Sequence, residues 1–253
     1  MTKASGILNS IWLIILILFS FALISFSHKN SFCSFLKKQI ENHSPVVKII
    51  SPKNNNSYAL NSQVPYQISV SDKEDGESKY GEINPKEVFL EIKYVKDTAK
   101  ALELISKNQQ RDATGLSIIK TSNCMNCHAF KTKLIGPSFY DITRRYPFVS
   151  KTEDSLINHI LNGSKGRWGN VQMPSNNKLN AEEAKKVVGW LFKNAGDSTV
   201  NYLAGTEGSF RINPVNTSLK NIILIASYTD HGTKEDPVQT ITGEDRVVIQ
   251  IPY

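Results

Sequence analysis

The feature that most restricts this chain is a five-residue run near its middle, Cys124-Met125-Asn126-Cys127-His128. Residues three and four positions apart lie on one face of a helix, so two thiols and one imidazole can face a common group. This is the spacing of covalent c-type haem attachment. Zinc would need four ligands, and the sequence has no second Cys pair or closely spaced His pair, while a thioredoxin-like dithiol does not need the histidine. The run therefore predicts one covalent haem, with zinc and a redox dithiol as alternatives.

A second ligand for the haem iron can be sought among the three methionines. Met1 is the initiator and Met125 lies inside the run, which leaves Met173. The residues around Met173 predict a loop, because Gly169 precedes it and Pro174 follows it. A thioether at a rigid loop position is favoured as an iron ligand over ordinary core packing, which is the alternative use of methionine.

The residues around the run predict helices over 112–121, 156–161 and 181–193. Ser150 with Glu153 and Asn180 with Glu183 have the spacing of capping boxes. The last helix also has an apolar stripe at helical spacing: Ala184, Val187, Val188, Leu191 and Phe192.

With Gly136-Pro137, Asn162-Gly163-Ser164, Trp168-Gly169 and Met173-Pro174 in register, residues 112–194 resemble the small bacterial class I cytochromes c. The resemblance implies one haem c bound covalently at Cys124 and Cys127. It implies His128 and Met173 as axial ligands of the iron. It also implies that Pro137 packs beside His128 and orients the imidazole through its carbonyl.

The same resemblance assigns three further residues to haem binding. Trp168 would donate its indole N–H to a haem propionate, and Asn176 would donate to the Met173 sulfur. His159 would lie near a buried propionate, where its protonation would raise the midpoint potential. The alternatives are ordinary packing for Trp168, a turn for Asn176 and a surface position for His159.

Both flanks of this segment alternate apolar and polar residues with the period of two that predicts β-strands. The predicted strands are 46–50, 64–70 and 88–94 before the segment and 210–212, 222–228 and 247–251 after it. In 88–94 the pattern places Glu91 and Lys93 on a face expected to meet solvent.

Each flank alone is too short to bury much core, but together they match the size of an immunoglobulin-like sandwich. The segments 49–52, 69–72 and 226–230 resemble bacterial Ig-like and PKD-type domains. We therefore expect a mixed fold, in which an all-α class I cytochrome c domain (112–197) is inserted into an all-β Ig-like sandwich (45–95 plus 198–253). Two separate β pieces packed onto the centre are the alternative.

Residues 7–26 are almost entirely apolar. Twenty helical residues rise about 30 Å, the thickness of the hydrocarbon core of a bilayer, and no convincing small-residue cleavage site follows. We expect a membrane anchor on the periplasmic side of the bacterial inner membrane, or a periplasmic protein if the segment is a cleaved signal. Cys33, just beyond it, is interpreted as an incidental thiol.

The net charge of +7 is concentrated in the centre, where residues 112–197 contain twelve Lys and Arg against seven Asp and Glu. No run of five or six like charges occurs, so nucleic-acid binding is not expected. The positive centre predicts redox protein partners with an acidic docking surface, contacted by Lys131, Lys133 and Lys165.

An acidic loop near the first strands could supply oxygen ligands to Ca²⁺. It contains Asp72, Glu74, Asp75 and Glu77, but its spacing does not match an EF-hand loop. A solvated turn is the favoured alternative.

His and Met ligation would leave no open iron position for a substrate, so the resemblance implies a one-electron carrier and not an enzyme. It also suggests a periplasmic dehydrogenase of the sugar or alcohol type as donor and a terminal oxidase as acceptor. The alternative is a surface module that binds polysaccharide or protein through a platform of Tyr58, Tyr80 and Tyr202. A dihaem peroxidase would need a second Cys-x-x-Cys-His run, which the sequence lacks.

Overall fold

A computed structural model of the chain describes residues 41–97, 99, 103, 114–213 and 218–252. The apolar segment 7–26 and Cys33 lie outside these residues. In the part of the chain that the structure describes, none of the helices is both long enough and apolar enough to cross a bilayer.

The strands form two antiparallel sheets of four strands each. They are β1 (Val46–Ser51), β2 (Gln63–Asp72), β3 (Gly76–Glu77), β4 (Phe89–Val95), β5 (Val200–Ala204), β6 (Glu207–Arg211), β7 (Asn221–Thr229) and β8 (Thr242–Gln250). In one sheet β2 pairs with β1, β3 and β6, and the other sheet has the order β5-β4-β7-β8. All the pairings are antiparallel.

Strands from both flanks of the chain pair within each sheet. Tyr66 of β2 is opposite Gly208 of β6, and β4 lies between β5 and β7. The chain therefore leaves the second sheet at the end of β4 and re-enters it at the neighbouring strand, where Lys93 is opposite Val200.

The main hydrophobic core lies between the two sheets. The alternation in β2 is as predicted, because Val64, Tyr66, Ile68 and Val70 are buried and their neighbours Gln63, Pro65, Gln67 and Ser71 are exposed. Strand β7 is buried at every position, which indicates that both of its faces are covered.

Within the described residues 114–199, four α-helices lie between β4 and β5: α1 (Thr114–Thr121), α2 (Phe139–Arg145), α3 (Ser150–Asn162) and α4 (Ala181–Asn194). Helices α1 and α4 cross at Gly115, where an added Cβ would lie 2.4 Å from the Cβ of Trp190 and 2.6 Å from the carbonyl oxygen of Lys186. Only glycine permits so close an approach of the two backbones.

The two predicted capping boxes have different outcomes. Asn180 and Glu183 form theirs: Asn180 Oδ1 accepts from Glu183 N at 2.9 Å and Glu183 Oε2 accepts from Asn180 N at 2.9 Å. The box at Ser150 and Glu153 was wrong, because the helix already includes Ser150 and its N-cap is Val149, which has no capping side chain.

The helices and the second sheet share one hydrophobic cluster. Phe130 is at its centre, with its ring centroid 4.7 Å from that of Tyr202 in β5, 5.8 Å from Trp190 in α4 and 6.5 Å from Phe89 in β4. Because side chains of helices and strands interdigitate here, the helical segment packs directly on the sheet.

This packing corrects the expectation that Glu91 meets solvent. Glu91 is only 6 % exposed, because helical residues cover its face of the sheet. Lys120 of α1 lies 5.1 Å above the Phe89 ring and donates to Ser227 Oγ at 2.6 Å.

The tyrosine platform is not formed either. Tyr202 is buried in the shared cluster and Tyr58 packs against the sandwich core, whereas Tyr80 is 70 % exposed. The three rings therefore do not make one binding face.

Candidate functional site

A cavity of about 560 Å³ lies among the helices and the loop between α3 and α4. All eight residues predicted to bind the cofactor line it: Cys124, Cys127, His128, Pro137, His159, Trp168, Met173 and Asn176. Apolar side chains complete the walls, among them Ile142, Val188 and Leu191. The volume is within the range of small-molecule and cofactor sites.

The Cys-x-x-Cys-His run folds as a tight turn after α1. Asn123 has a left-handed backbone (φ +59°), and Cys124–Asn126 form a single 3₁₀ turn. The amides of Cys127 and His128 both donate to the carbonyl of Cys124, at 3.2 and 3.0 Å. A short turn of this kind, and not a long helix, places both sulfurs and the imidazole at one wall of the cavity.

His128 is oriented by its surroundings. The residue is 8 % exposed, and Nδ1 donates to the carbonyl of Pro137 at 2.7 Å, so Nε2 keeps its lone pair. The ring of Phe139 stacks on it with 5.2 Å between centroids and 13° between planes. Burial lowers the pKa of His128, which favours the neutral imidazole that a metal requires.

Met173 is held by two backbone hydrogen bonds to Ser164. Ser164 N donates to Met173 O at 3.0 Å, and Met173 N donates to Ser164 O at 2.8 Å. Gly163 makes this bridge possible, because its φ is +79° and an added Cβ would lie 2.7 Å from Met173 O. The Asn162-Gly163-Ser164 motif therefore fixes the methionine loop.

Asn176 lines the cavity, but its hydrogen bonds differ from the expected one. Its side-chain Nδ2 donates to Ser122 O at 3.2 Å, and its backbone N donates to Ile160 O at 2.9 Å. In the described structure Asn176 therefore connects the methionine loop to the end of α1, and its amide is not bonded to the Met173 sulfur.

Trp168 and His159 lie nearer the rim. Trp168 is 38 % exposed and contacts the guanidinium of Arg145, 4.4 Å from the ring centroid, and the edge of the Tyr146 ring. Burial and the positive charge of Arg167 lower the pKa of His159.

Of the three lysines expected at a docking surface, Lys131 has a different role. Its Nζ donates to the carbonyls of Ala195 and Asp197 at 3.1 and 2.8 Å, so it binds the chain just after α4. Lys133 and Lys165 are exposed, and Lys165 lines the cavity together with Arg167 and Lys178.

The donor set fits a covalent haem better than the two alternatives. Burial raises the pKa of the Cys124 thiol to about 11, whereas a redox dithiol needs a lowered pKa. Within the described ranges, no three Cys, His or carboxylate groups are grouped to hold a metal ion by themselves. Two thiols and one Nε2 lone pair on a mainly apolar cavity match haem attachment and ligation.

Two residues at the site had no role in the sequence interpretation. Phe139 stacks on His128, and Gly136 leaves only 2.6 Å between an added Cβ and Cε1 of that ring. Ser138 is the N-cap of α2, with its Oγ accepting from Asp141 N at 3.0 Å. A serine at this position could have predicted the start of the helix whose first residue is Phe139. The Gly136-Pro137 motif by itself does not indicate this close contact.

Comparison with known proteins places the similarity in the central segment. The family model described as cytochrome c matches residues 113–194. Cytochrome c-551 of Pseudomonas denitrificans is 37 % identical over 79 residues, 31 % of this chain and 95 % of that protein. Cytochrome c-552 of Nitrosomonas europaea is 33 % identical over 88 residues, 35 % of this chain and 82 % of that protein. The crystal structure of wild-type Nitrosomonas europaea cytochrome c552 aligns with a TM-score of 0.30 at 32 % identity, covering 31 % of this chain and 96 % of that one.

Proposed function

Because the chain belongs to the cytochrome c family, we propose that it is a membrane-tethered periplasmic carrier that takes single electrons from a dehydrogenase of the sugar or alcohol type. The family implies one covalently attached haem c, electron transfer in place of catalysis, and redox proteins as partners. Class I c-type cytochromes are generally periplasmic. The tether would be the segment 7–26.

One observation carries the proposal: both thiols, the imidazole and the Met173 side chain line a single cavity. Cys124 and Cys127 would hold the haem covalently, and His128 Nε2 and the Met173 sulfur would bind its iron. When bound, the haem supplies a reversible one-electron couple. The bond from His128 to Pro137 fixes the imidazole, and the bridge to Ser164 fixes the backbone of Met173, so these residues would hold the iron with little rearrangement of the protein.

The residues around the cavity would tune the couple. Apolar walls exclude water and disfavour the extra positive charge of the oxidised iron, which keeps the potential high. Trp168 would donate its indole N–H to a propionate, and His159 would lie near one. Since a cation near a propionate favours the reduced state, protonation of His159 would raise the potential.

Electrons would enter and leave at the exposed rim of the cavity. Ile135 and Val171 are 53 % and 64 % exposed there, and Lys165, Arg167 and Lys178 also line the cavity. An apolar rim with surrounding positive charge suits a partner with an acidic surface.

We further propose that residues 112–197 are an insertion in a sandwich of the Ig-like or PKD type made of 45–95 and 198–253. The pairing of β4 with β5 and β7 supports this arrangement, as do the aromatic contacts of Phe130. The role of the sandwich would be to hold the carrier in one orientation towards its partners.

The ligand assignment is tested with Met173→Ala in the holoprotein. We expect loss of the far-red absorption band of the oxidised form, and a fall in midpoint potential on the order of 0.1 V within the ~0.8 V range that axial ligands control. Optical redox titration measures both.

Met125→Leu is the matched control. Met125 is 4 % exposed in the hydrophobic cluster and does not line the cavity, so this variant should keep the band and the potential. If Met173→Ala retained both, Met173 would not be the ligand.

A further inference from the structure

Three segments far apart in the sequence meet at one end of the sandwich: 42–43 before β1, 72–75 at the end of β2, and 230–231 after β7. His43 Nδ1 lies 2.7 Å from Glu74 Oε1, and His231 N donates to Asp75 Oδ2 at 3.0 Å. Asn42 Nδ2 donates to Asp230 Oδ2, also at 3.0 Å. The segments therefore form one polar cluster.

Most carboxylates of this cluster already have partners of opposite charge or donors. Glu74 is paired with His43, and Asp75 accepts from Tyr228 Oη at 2.7 Å and from His231. Glu87 lies 3.3 Å from His231 Nε2. Glu87 and Asp75 together raise the pKa of His231 to about 9, so this histidine is charged at neutral pH and balances part of their charge.

This pattern changes the ligand set expected from the acidic loop. Glu74 and Asp75 are engaged with histidines, and Glu77 is paired with Lys79 at 2.7 Å. Of the four acidic residues in that set, Asp72 is the one that remains as a candidate ligand.

Asp72 is buried with one oxygen unsatisfied. The residue is 6 % exposed, Oδ1 accepts from the amides of Glu74 and Asp75, and Oδ2 is buried without any hydrogen-bond partner. Burial and the nearby charges of Asp75 and Asp230 raise its pKa. An ionised carboxylate in this position is costly unless a counter-charge compensates it.

Two other groups of the cluster also bear buried oxygens, and one of them, Asp230, is close enough to Asp72 for its charge to raise the pKa of Asp72. Asn42 Oδ1 is also buried and has no hydrogen-bond partner. Asp230 is fully buried, its Oδ1 accepts from the amides of Gly232 and Ile241, and its Oδ2 accepts from Asn42 Nδ2, which fixes the carboxylate beside Asn42.

We propose that Asp72, Asp230 and the side-chain oxygen of Asn42 coordinate a calcium ion. The donors are all oxygens, two of them anionic, and this is the ligand chemistry of a hard divalent cation. The described residues contain no group of three carboxylate, imidazole or thiol ligands, so main-chain oxygens and water complete the coordination. Two carboxylates place the affinity in the weak range of extracellular calcium modules, ~10⁻⁴–10⁻³ M.

Calcium bound here would join the segment before β1 to the ends of β2 and β7. Because the ion binds the folded sandwich and not the unfolded chain, it would raise the unfolding temperature, roughly with the logarithm of its concentration above the dissociation constant. The site is independent of the haem, so it can be tested separately from electron transfer.

The test is calorimetric titration of CaCl₂ into the calcium-depleted holoprotein, together with thermal unfolding with chelator and with calcium at about 10 mM, well above the expected dissociation constant. We expect one ion per chain and a higher unfolding temperature with calcium. The proposal would be overturned if the wild-type protein showed neither a heat of binding nor a shift in unfolding temperature. That result is expected if Asp72 and Asp230 share a proton and do not bind calcium.

Asp72→Asn assigns the ligands. It should lower calcium affinity at least tenfold, yet without calcium it should unfold at the same or a higher temperature than the wild type, because it removes a charge beside Asp230. Glu77→Gln, in the same loop but paired with Lys79, should keep the wild-type response. Asn42→Ala is a second ligand variant and should also weaken binding. An unchanged calcium response in both ligand variants would contradict the assignment.

Discussion

Gly136 is packed against the imidazole of His128 so closely that no side chain fits. An added methyl would lie 2.6 Å from Cε1 and 3.0 Å from Nδ1. We expect Gly136→Ala to tilt the ring, to weaken its bond to Pro137, and to lower the free energy of unfolding by ~1–3 kcal/mol, as overpacking does. Chemical denaturation of the holoprotein measures the stability, and its visible spectrum reports the ligand field.

Gly189→Ala is the matched control for that variant. Gly189 is in the interior of α4, and no atom lies within 4 Å of an added Cβ. Alanine should stabilise the helix there by ~0.5–1 kcal/mol. A Gly136→Ala protein as stable as the wild type, with an unchanged spectrum, would show that the ring has room to move.

At the level of residues, sequence reasoning found the cavity-lining groups but not all of their partners. Spacing identified Cys124, Cys127 and His128, because their chemistry depends on positions close in the chain. The bonds of Asn176 to Ser122 and of Lys131 to the chain after α4 could not be derived, because each partner is distant in sequence.

At the level of elements, the two predicted capping boxes provide a controlled comparison. Asn180→Ala removes a side chain that accepts from Glu183 N at 2.9 Å, so α4 should lose a cap. We expect a loss of about 1 kcal/mol in the free energy of unfolding, the usual value for such a cap. Denaturant titration of the holoprotein measures it.

Ser150→Ala is the control, because Ser150 has the same sequence signature but lies inside α3 without a capping bond. Its effect should be within ~0.5 kcal/mol, as for an ordinary surface position. Equal losses in the two variants would contradict the assignment of the caps.

Strand β5 and helix α2 were not predicted. Both are short, 5 and 7 residues, and offer little periodicity to detect. Strand β5 is stabilised by pairing with β4 and by the burial of Tyr202 against Phe130, neither of which is a local property. Long periodic elements such as β2 and α4 were predicted closely, because their own pattern specifies the buried face.

At the level of the whole molecule, the helical segment and the sheets share Phe130 and its neighbours. We expect Phe130→Ala to cost ~3–5 kcal/mol, the usual cost for a buried phenylalanine. Because the cluster couples the two parts, haem absorbance and far-UV circular dichroism should follow one thermal transition in the wild type and two in the variant.

Phe148→Ala is the control for coupling. Phe148 is 56 % exposed and stacks on Phe192, and neither residue belongs to the cluster around Phe130. It should keep a single transition with a small loss of stability. Coincident transitions in Phe130→Ala would mean that the cluster does not couple the two parts.

The burial of Glu91 shows why the junction could not be inferred from the sequence. The alternation of β4 correctly separates its two faces, but it does not reveal that helical residues cover the second face. Composition likewise assigned the positive charge to the centre without indicating which surface of that segment remains exposed.

Strands β4 and β5 are neighbours in the sheet but far apart in the chain, and this has a consequence for folding during synthesis. Strand β4 is synthesised before its partners β5 and β7, so both of its edges stay unpaired until those strands have been made. Unpaired strand edges are prone to association with other chains. The residues of the cavity all precede β5, so the haem-binding segment can fold while β4 is still unpaired. Its folding would shorten the effective loop between Lys93 and Val200 and so lower the entropic cost of pairing them. During biogenesis, folding of the haem-binding segment would thus bring β5 next to β4 and allow the sheet to form.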